Sequence, residues 1–599
     1  MSLVPNSIIP ISPTDDYYDL GTYSRKISTK NEAAQTWFDR GLVWCYAFNH
    51  AEAYRCFEQA IAHDSQCAMA YWGLVYAAGP NYNKGWGLFD PADLKRTMKI
   101  CHDAARHALG LAEMESVTHV ERALIEAMQA RYPVDHPVAD YTQINHAYDQ
   151  AMRKVHEEFP DDLDMLTLYI DAKMHIAQRK MFHTKTGLPI ETSPVFDVQR
   201  LFTNGLNHPN ANTHPGLLHF CIHFWEMSAT PSIALPPANA LRNNLVPDAG
   251  HLHHMPTHLD VLLGDYSRGI TSNAAAIRAD EKYLARNGAQ NMYSFYRLHN
   301  YHSLIYNAML AGQSRVALQA LDRMEASITV DVLRTESPPL ADWLEFFLSV
   351  RVHVYIRFGL WDQIIPLPTP EEQGMDKQLY CVTTAMTLYG KGIAHAATGN
   401  LPEAHRYRDL YTAAASTIPP SRRDHPNRIT DILKVATAML NGEIEYRAGN
   451  FDAAFDHLRD AIAHDDNLLY TEPWGWMVPT RHAFGALSLE RGNVEDAARV
   501  YREDLGIAGD LSRAHQHPRC VWALRGYWEC LVRLGRGGTE EAGAIKRQLD
   551  AALAVADVEI RSSCFCRLGV VPGEGEGEGE KGKEKAGGKC CDGPWLECY

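Results

Sequence analysis

Residues Glu52–Asp64 read EAYRCFEQAIAHD and residues Asp452–Asp465 read DAAFDHLRDAIAHD, so the pentapeptide AIAHD recurs about 400 residues apart. Such self-similarity is the mark of a repeat architecture, and both stretches place small and large residues at helical spacing. In the first these are Trp37, Gly41, Trp44, Ala53, Phe57 and Ala60; in the second they are Gly442, Ala454, Leu458 and Ala461. Small residues let paired helices approach and large ones fill the gap between them. Between the two helices of a pair a glycine, a polar residue and a large residue recur, at Gly264-Asp265-Tyr266, Gly399-Asn400-Leu401, Gly449-Asn450-Phe451 and Gly492-Asn493-Val494, and more weakly at Gly312 and Gly359. Glycine relieves the positive φ just past a helix end, so each triplet marks a turn between two helices.

This pattern is that of tetratricopeptide repeats, although markers about 40 to 50 residues apart exceed the roughly 34 of the standard repeat and predict longer helices or inserts. Strand signals are nearly absent and helical periodicity runs from Asn31 to about Val558. The expected fold is all-α, a tetratricopeptide-like α-solenoid of antiparallel helix pairs. Three segments are expected: an N-terminal extension (1–30), the solenoid (31–558) with a histidine-rich centre (208–302), and a disordered Gly/Glu/Lys-rich tail with cysteines (559–599). Inserts richer in Pro, Gly and Asn fall at 81–93, 185–194, 207–215, 228–237 and 366–378.

Composition bounds the function. At 599 residues and 46% apolar the chain can bury a large core. Its net charge of −16, from 73 acidic against 57 basic residues, argues against nucleic-acid and anionic-membrane partners. The start has no basic segment followed by an apolar one, and no stretch approaches eighteen uninterrupted apolar residues. Cysteines before the tail are scattered singly, as in a reducing compartment. A cytoplasmic protein is expected. Cys564, Cys566, Cys590, Cys591 and Cys598 are candidates for metal or redox pairs, against the plainer reading of an untethered tail.

The chemistry concentrates in HPGLLHFCIHFWE (His214–Glu226) and GHLHHMPTH (Gly250–His258). His219 and His223 are four apart with Glu226 three further on, which at 3.6 residues per turn puts all three on one helical stripe. His254 and His258 repeat the spacing, with His251 on the same stripe. Pro256 prefers a first turn, so His254 is expected near a helix start, where an imidazole stays neutral. Four imidazoles and a carboxylate converging from adjacent helices make the ligand chemistry of zinc, copper or iron. His219, His223, His254 and His258 are therefore the candidate ligands of a divalent transition metal, with Glu226 as ligand or base. Histidines on solenoid helices are also common as hydrogen-bonded core residues, and His63 and His464 read that way. His299 and His302 lie three apart on a further helix and offer further ligands, supporting partners or acid–base groups.

Phe48 to Ala53 (FNHAEA) and Cys67 to Trp86 carry aromatics that could wall a pocket or simply fill the core. Tyr470–Leu487, YTEPWGWMVPTRHAFGAL, clusters Glu472, Trp474, Trp476, Arg481 and His482 around two prolines and reads best as an irregular helix junction. No P-loop, dinucleotide fingerprint, G-x-S-x-G elbow or H-E-x-x-H motif is present.

These segments, with AFNHAEAYRCF (Ala47–Phe57), CAMAYWGL (Cys67–Leu74) and EPWGWMVPTRHAFGALSLERGN, resemble a group of bacterial and fungal tetratricopeptide-repeat proteins, mostly without assigned activity. The group's H-P-G…H…I-H…E and G-H-x-x-H-M-P-x-H segments match His214, His219, His223, Glu226, His251, His254 and His258. Where this chain reads EPWGW the group usually shows a double proline. The resemblance implies a shared fold and site, and allows a substrate from natural-product biosynthesis. Two functions compete: a metal-dependent hydrolase or oxidoreductase acting on a small-molecule substrate, and an interaction scaffold binding a partner protein in its groove. The lysine, asparagine and arginine positions of a carboxylate-clamp groove are not found in register.

Overall fold

The computed structural model describes residues 8–14 and 16–567. Its helices follow one another in antiparallel pairs, among them Glu32–Tyr46 with His50–His63, Cys381–Ala397 with Leu401–Ala415, and Ile429–Arg447 with Phe451–Asp466. Among the described residues the only strands are Arg423–Asp424 and Asn427–Arg428, a two-residue antiparallel pair. The fold is the all-α, tetratricopeptide-like solenoid expected from the repeats. No helix among the described residues is long and apolar enough to cross a membrane.

Packing inside the pairs explains the repeat signature. A Cβ on Gly41 would lie 2.7 Å from the Phe57 ring, and one on Gly73 would lie 2.2 Å from it. Phe57, on the second helix, therefore seats its ring between glycines of the helices before and after. The arrangement recurs as Tyr501 between Gly485 and Gly526, and as Leu458 against Gly442. In all three the first glycine precedes the large residue by 16 positions (57 − 41, 458 − 442, 501 − 485). The predicted turn glycines take positive φ, from 64° at Gly359 to 84° at Gly449.

The chain divides into two compact units, Met1–Leu259 with Ala276–Tyr293, and Asp260–Ala275 with Ser294 onward. In the second unit the chain beyond 559, expected as tail, is packed as far as Arg567. Ile560, Ser563, Cys566 and Arg567 are buried, and Cys564 and Cys566 form a disulfide. The Gly/Glu-rich stretch and Cys590, Cys591 and Cys598 lie outside the described residues.

Candidate metal centre

The HPG start of the first histidine segment is a built junction. His214 is the N-cap of the Pro215–Trp225 helix, its Nδ1 accepting from Leu217 N at 3.1 Å while Pro215 fills the first turn. With Nδ1 an acceptor, Nε2 carries the hydrogen and donates to Asp164 Oδ1 at 3.1 Å. Asp164 also accepts from Tyr23, from Arg25 at 2.8 Å and from the Tyr46 hydroxyl at 2.8 Å, and these partners hold its carboxyl far below the usual range despite burial. Gly216 is required because a Cβ there would stand 2.5 Å from the Tyr46 ring. Tyr46 thus ties the helix start to Asp164, and its backbone carbonyl reaches the next turn.

That carbonyl accepts from His219 Nδ1 at 2.6 Å. A carbonyl cannot donate, so the His219 hydrogen sits on Nδ1 and the lone pair on Nε2. His219 Nε2 is buried with no hydrogen-bond partner among the described residues. One turn on, His223 Nδ1 donates to Glu226 Oε1 at 3.0 Å, and His258 Nδ1 donates to the other oxygen, Oε2. Glu226 therefore spends both oxygens outward of the cluster and leaves the Nε2 lone pairs of His223 and His258 facing away from it.

The second segment is two short helices, Gly250–His254 and Pro256–Leu263, with Met255 between them in right-handed helical conformation. Pro256 does open a helix, but His254 closes the preceding one and does not sit at a helix start. Gly250 makes room for Asp280, whose Oδ1 would lie 2.1 Å from a Cβ, and this carboxylate in turn accepts from the Tyr293 hydroxyl at 2.8 Å. His254 Nε2 and His258 Nε2 are 2.8 Å apart. Since Nδ1 of His258 donates to Glu226, the hydrogen between them belongs to His254 in the neutral pair.

Together five imidazoles close a ring. Neighbouring centroids are 4.8 Å apart for His219 and His223, 5.8 Å for His223 and His258, 4.8 Å for His258 and His254, 5.8 Å for His254 and His251, and 4.9 Å for His251 and His219. All five rings and Glu226 are at most 3% exposed. Burial and the neighbouring imidazoles drive His219 and His251 well below the ordinary histidine range, so both are neutral, the form that binds metals. Within this unit two groups have ligand atoms within 4.8 Å of one another and could hold an ion: His219, His223 and His251, and His223, Glu226 and His258. His251, which the spacing put on the stripe without assigning it as a ligand, is thus a member of the all-imidazole group.

Phe48 lies on the ring, 4.4 Å from His219, 5.6 Å from His223 and 5.5 Å from His251 by centroid. It does so from a positive φ of 56°, a conformation that costs a non-glycine residue about 1 kcal/mol. Tyr82 packs on His223 at 5.1 Å. Of the two aromatic stretches FNHAEA and Cys67–Trp86, Phe48 and Tyr82 pack on the cluster, while Trp72 stacks on Tyr76 and Trp86 on Tyr141 as core packing. The remaining sequence candidates belong to the second unit. His302 lies beside Met477, and Arg481 and His482 bind Asp466, Glu503 and Asp504 across the Tyr470–Leu487 junction.

No protein-family model and no curated protein matches the chain. Among solved structures it is similar to yeast Tom70, at 10% identity over 87% of this chain and 93% of that one with a TM-score of 0.25. It is also similar to the APC/C hetero-tetramer Cut9-Hcn1, at 11% identity over 90% and 96% with a TM-score of 0.25. A third is Naa15/Naa10 bound to HypK-THB, at 13% identity over 87% and 70% with a TM-score of 0.21. At this overlap the assignment of the fold rests on the glycine–aromatic packing of the helix pairs.

Proposed function

We propose that the imidazole ring is a metal centre and that the protein is a metal-dependent enzyme acting on a small molecule. The observation that carries this reading is the convergence of the His219, His223 and His251 ligand atoms within 4.8 Å of one another in a buried site. Hydrogen bonds outside the ring, to Tyr46 O and to Glu226, fix the tautomers of His219 and His223, the arrangement in which outer partners orient metal ligands. Three imidazoles leave a coordination position free, the pattern of catalytic rather than structural sites.

A divalent zinc, copper or iron ion fits this donor set, and when bound it would supply Lewis acidity toward a water or a substrate oxygen. His258 and His254 then serve as the proton-handling pair. The Glu226 carboxylate holds the hydrogen on His258 Nδ1 and stabilises the imidazolium formed if Nε2 takes up a proton. His254, 2.8 Å away, passes or receives that proton. Phe48 and Tyr82 cover the His219 and His223 rings and shield them from bulk water.

The test is metal analysis by inductively coupled plasma mass spectrometry on untagged protein. Wild type is expected to carry near-stoichiometric metal, the His219→Ala, His223→Ala double variant none, and the His254→Ala, His258→Ala double variant metal with impaired turnover. Absence of metal from folded wild type, even after reconstitution with each of the three ions, rejects the reading.

A further inference from the structure

The second unit holds a pocket that the metal centre does not use. The EPWGWM segment lays Gly475 and Met477 against His302 of the Tyr293–Ala311 helix, His353 of the Val350–Arg357 helix and Asp424 of the short hairpin. The space left inside is about 20 Å³, room for a water or a single ion and not for an organic ligand. His302 Nε2 stands 3.1 Å from Met477 Sδ. His302 Nδ1 and His353 Nδ1 are buried with no hydrogen-bond partner among the described residues. The wall also carries Ser349, whose hydroxyl donates to Phe346 O at 2.6 Å, and a second thioether, Met386; the remainder is apolar or aromatic, and Trp476 meets His353 edge-on at 4.6 Å while Phe346 and Phe347 meet His302 at 5.8 and 5.4 Å.

Such a wall selects its occupant. Two imidazoles and a thioether are soft and borderline donors, matched to a d10 monovalent ion and poorly matched to calcium or magnesium. An apolar surround penalises buried charge, which favours the ion of lowest charge.

We propose that this pocket is a second, independent site that binds one Cu(I) ion through His302, His353 and the Met477 thioether. It does not depend on the reading of the first centre.

The test uses full-length selenomethionine-labelled protein carrying His219→Ala and His223→Ala, with Cys590, Cys591 and Cys598 each changed to Ser. The remaining free cysteines are buried. Cu(I) is titrated anaerobically against a bathocuproine competitor. One equivalent is expected to bind, with selenium-edge absorption showing a copper neighbour. Met477→Leu, a near-isosteric change whose fold is checked by circular dichroism, is expected to weaken uptake at least 100-fold, and His353→Gln to do the same. Uptake unchanged in folded Met477→Leu, a selenium edge without copper, or no uptake at all would overturn the proposal and leave the pocket to a water molecule.

Discussion

Glu226 shows what a single carboxylate does in a crowd of imidazoles. Its two oxygens take the Nδ1 hydrogens of His223 and His258, the latter 32 positions away in sequence, and so set which nitrogen each ring turns away from it. Glu226→Gln leaves one acceptor oxygen and turns an amide donor toward the other imidazole. Metal affinity is expected to fall roughly 10- to 100-fold with the fold intact, read by competition with a chromophoric chelator. Equal affinities would mean that the carboxylate does not orient the ligands. Spacing alone put His219, His223 and Glu226 on one stripe, and that placement was legible. Which ring nitrogen faces inward was not, because the acceptor for His219 is the backbone of Tyr46, 173 residues away. His251 was on the right stripe as well, but its partners in the all-imidazole group, His219 and His223, come from the other helix.

At the scale of the helix pair, glycine is where the fold is decided. Phe57 fills the space that Gly41 and Gly73 vacate, so Gly73→Ala forces a methyl group into a ring 2.2 Å away and is expected to destabilise by about 1–3 kcal/mol. Gly110, inside the Pro91–Ala112 helix with nothing within 4 Å of where a Cβ would stand, is the matched control. Gly110→Ala is expected to stabilise by about 0.5–1 kcal/mol through helix propensity. Urea midpoints of the two variants should move in opposite directions; a shared direction would contradict the packing account. These glycines and the turn glycines were readable because their role is local or repeats at a fixed interval. The break at Pro256 was only half readable. Proline announces that a helix begins, yet the five residues Gly250–His254 before it form a helix of their own, kept by tertiary contacts such as Asp280 beneath Gly250.

Over the whole molecule, buried titratable groups shape the pH response. Burial pushes His50 down to about 4 and His302 and His353 to about 3, and drives His219 and His251 well below the ordinary value of 6.5. For each of these the unfolded chain binds the proton more tightly, so its contribution is intact above about 6.5 and is lost as pH falls. At pH 5.5 the loss is about 1.4 kcal/mol per group. Asp424, raised to about 8, and Asp39 and Asp465, raised to about 6, act in the opposite sense, each gaining as pH falls through its folded value. The thermal midpoint of chelator-treated protein is therefore expected to peak near pH 6 to 7, with the steeper decline on the acid side, where imidazoles outnumber these carboxyls. A midpoint still rising at pH 5 would show that the imidazoles are not held neutral.

The helix Gly250–His254 spans fewer than two turns, too short to persist on its own backbone hydrogen bonds. Three of its five residues are histidines, and two of them belong to the ring. An ion held by the ring would also clamp this segment, so ligation and local order there would amount to a single equilibrium, and a change in either would be felt as a change in the other.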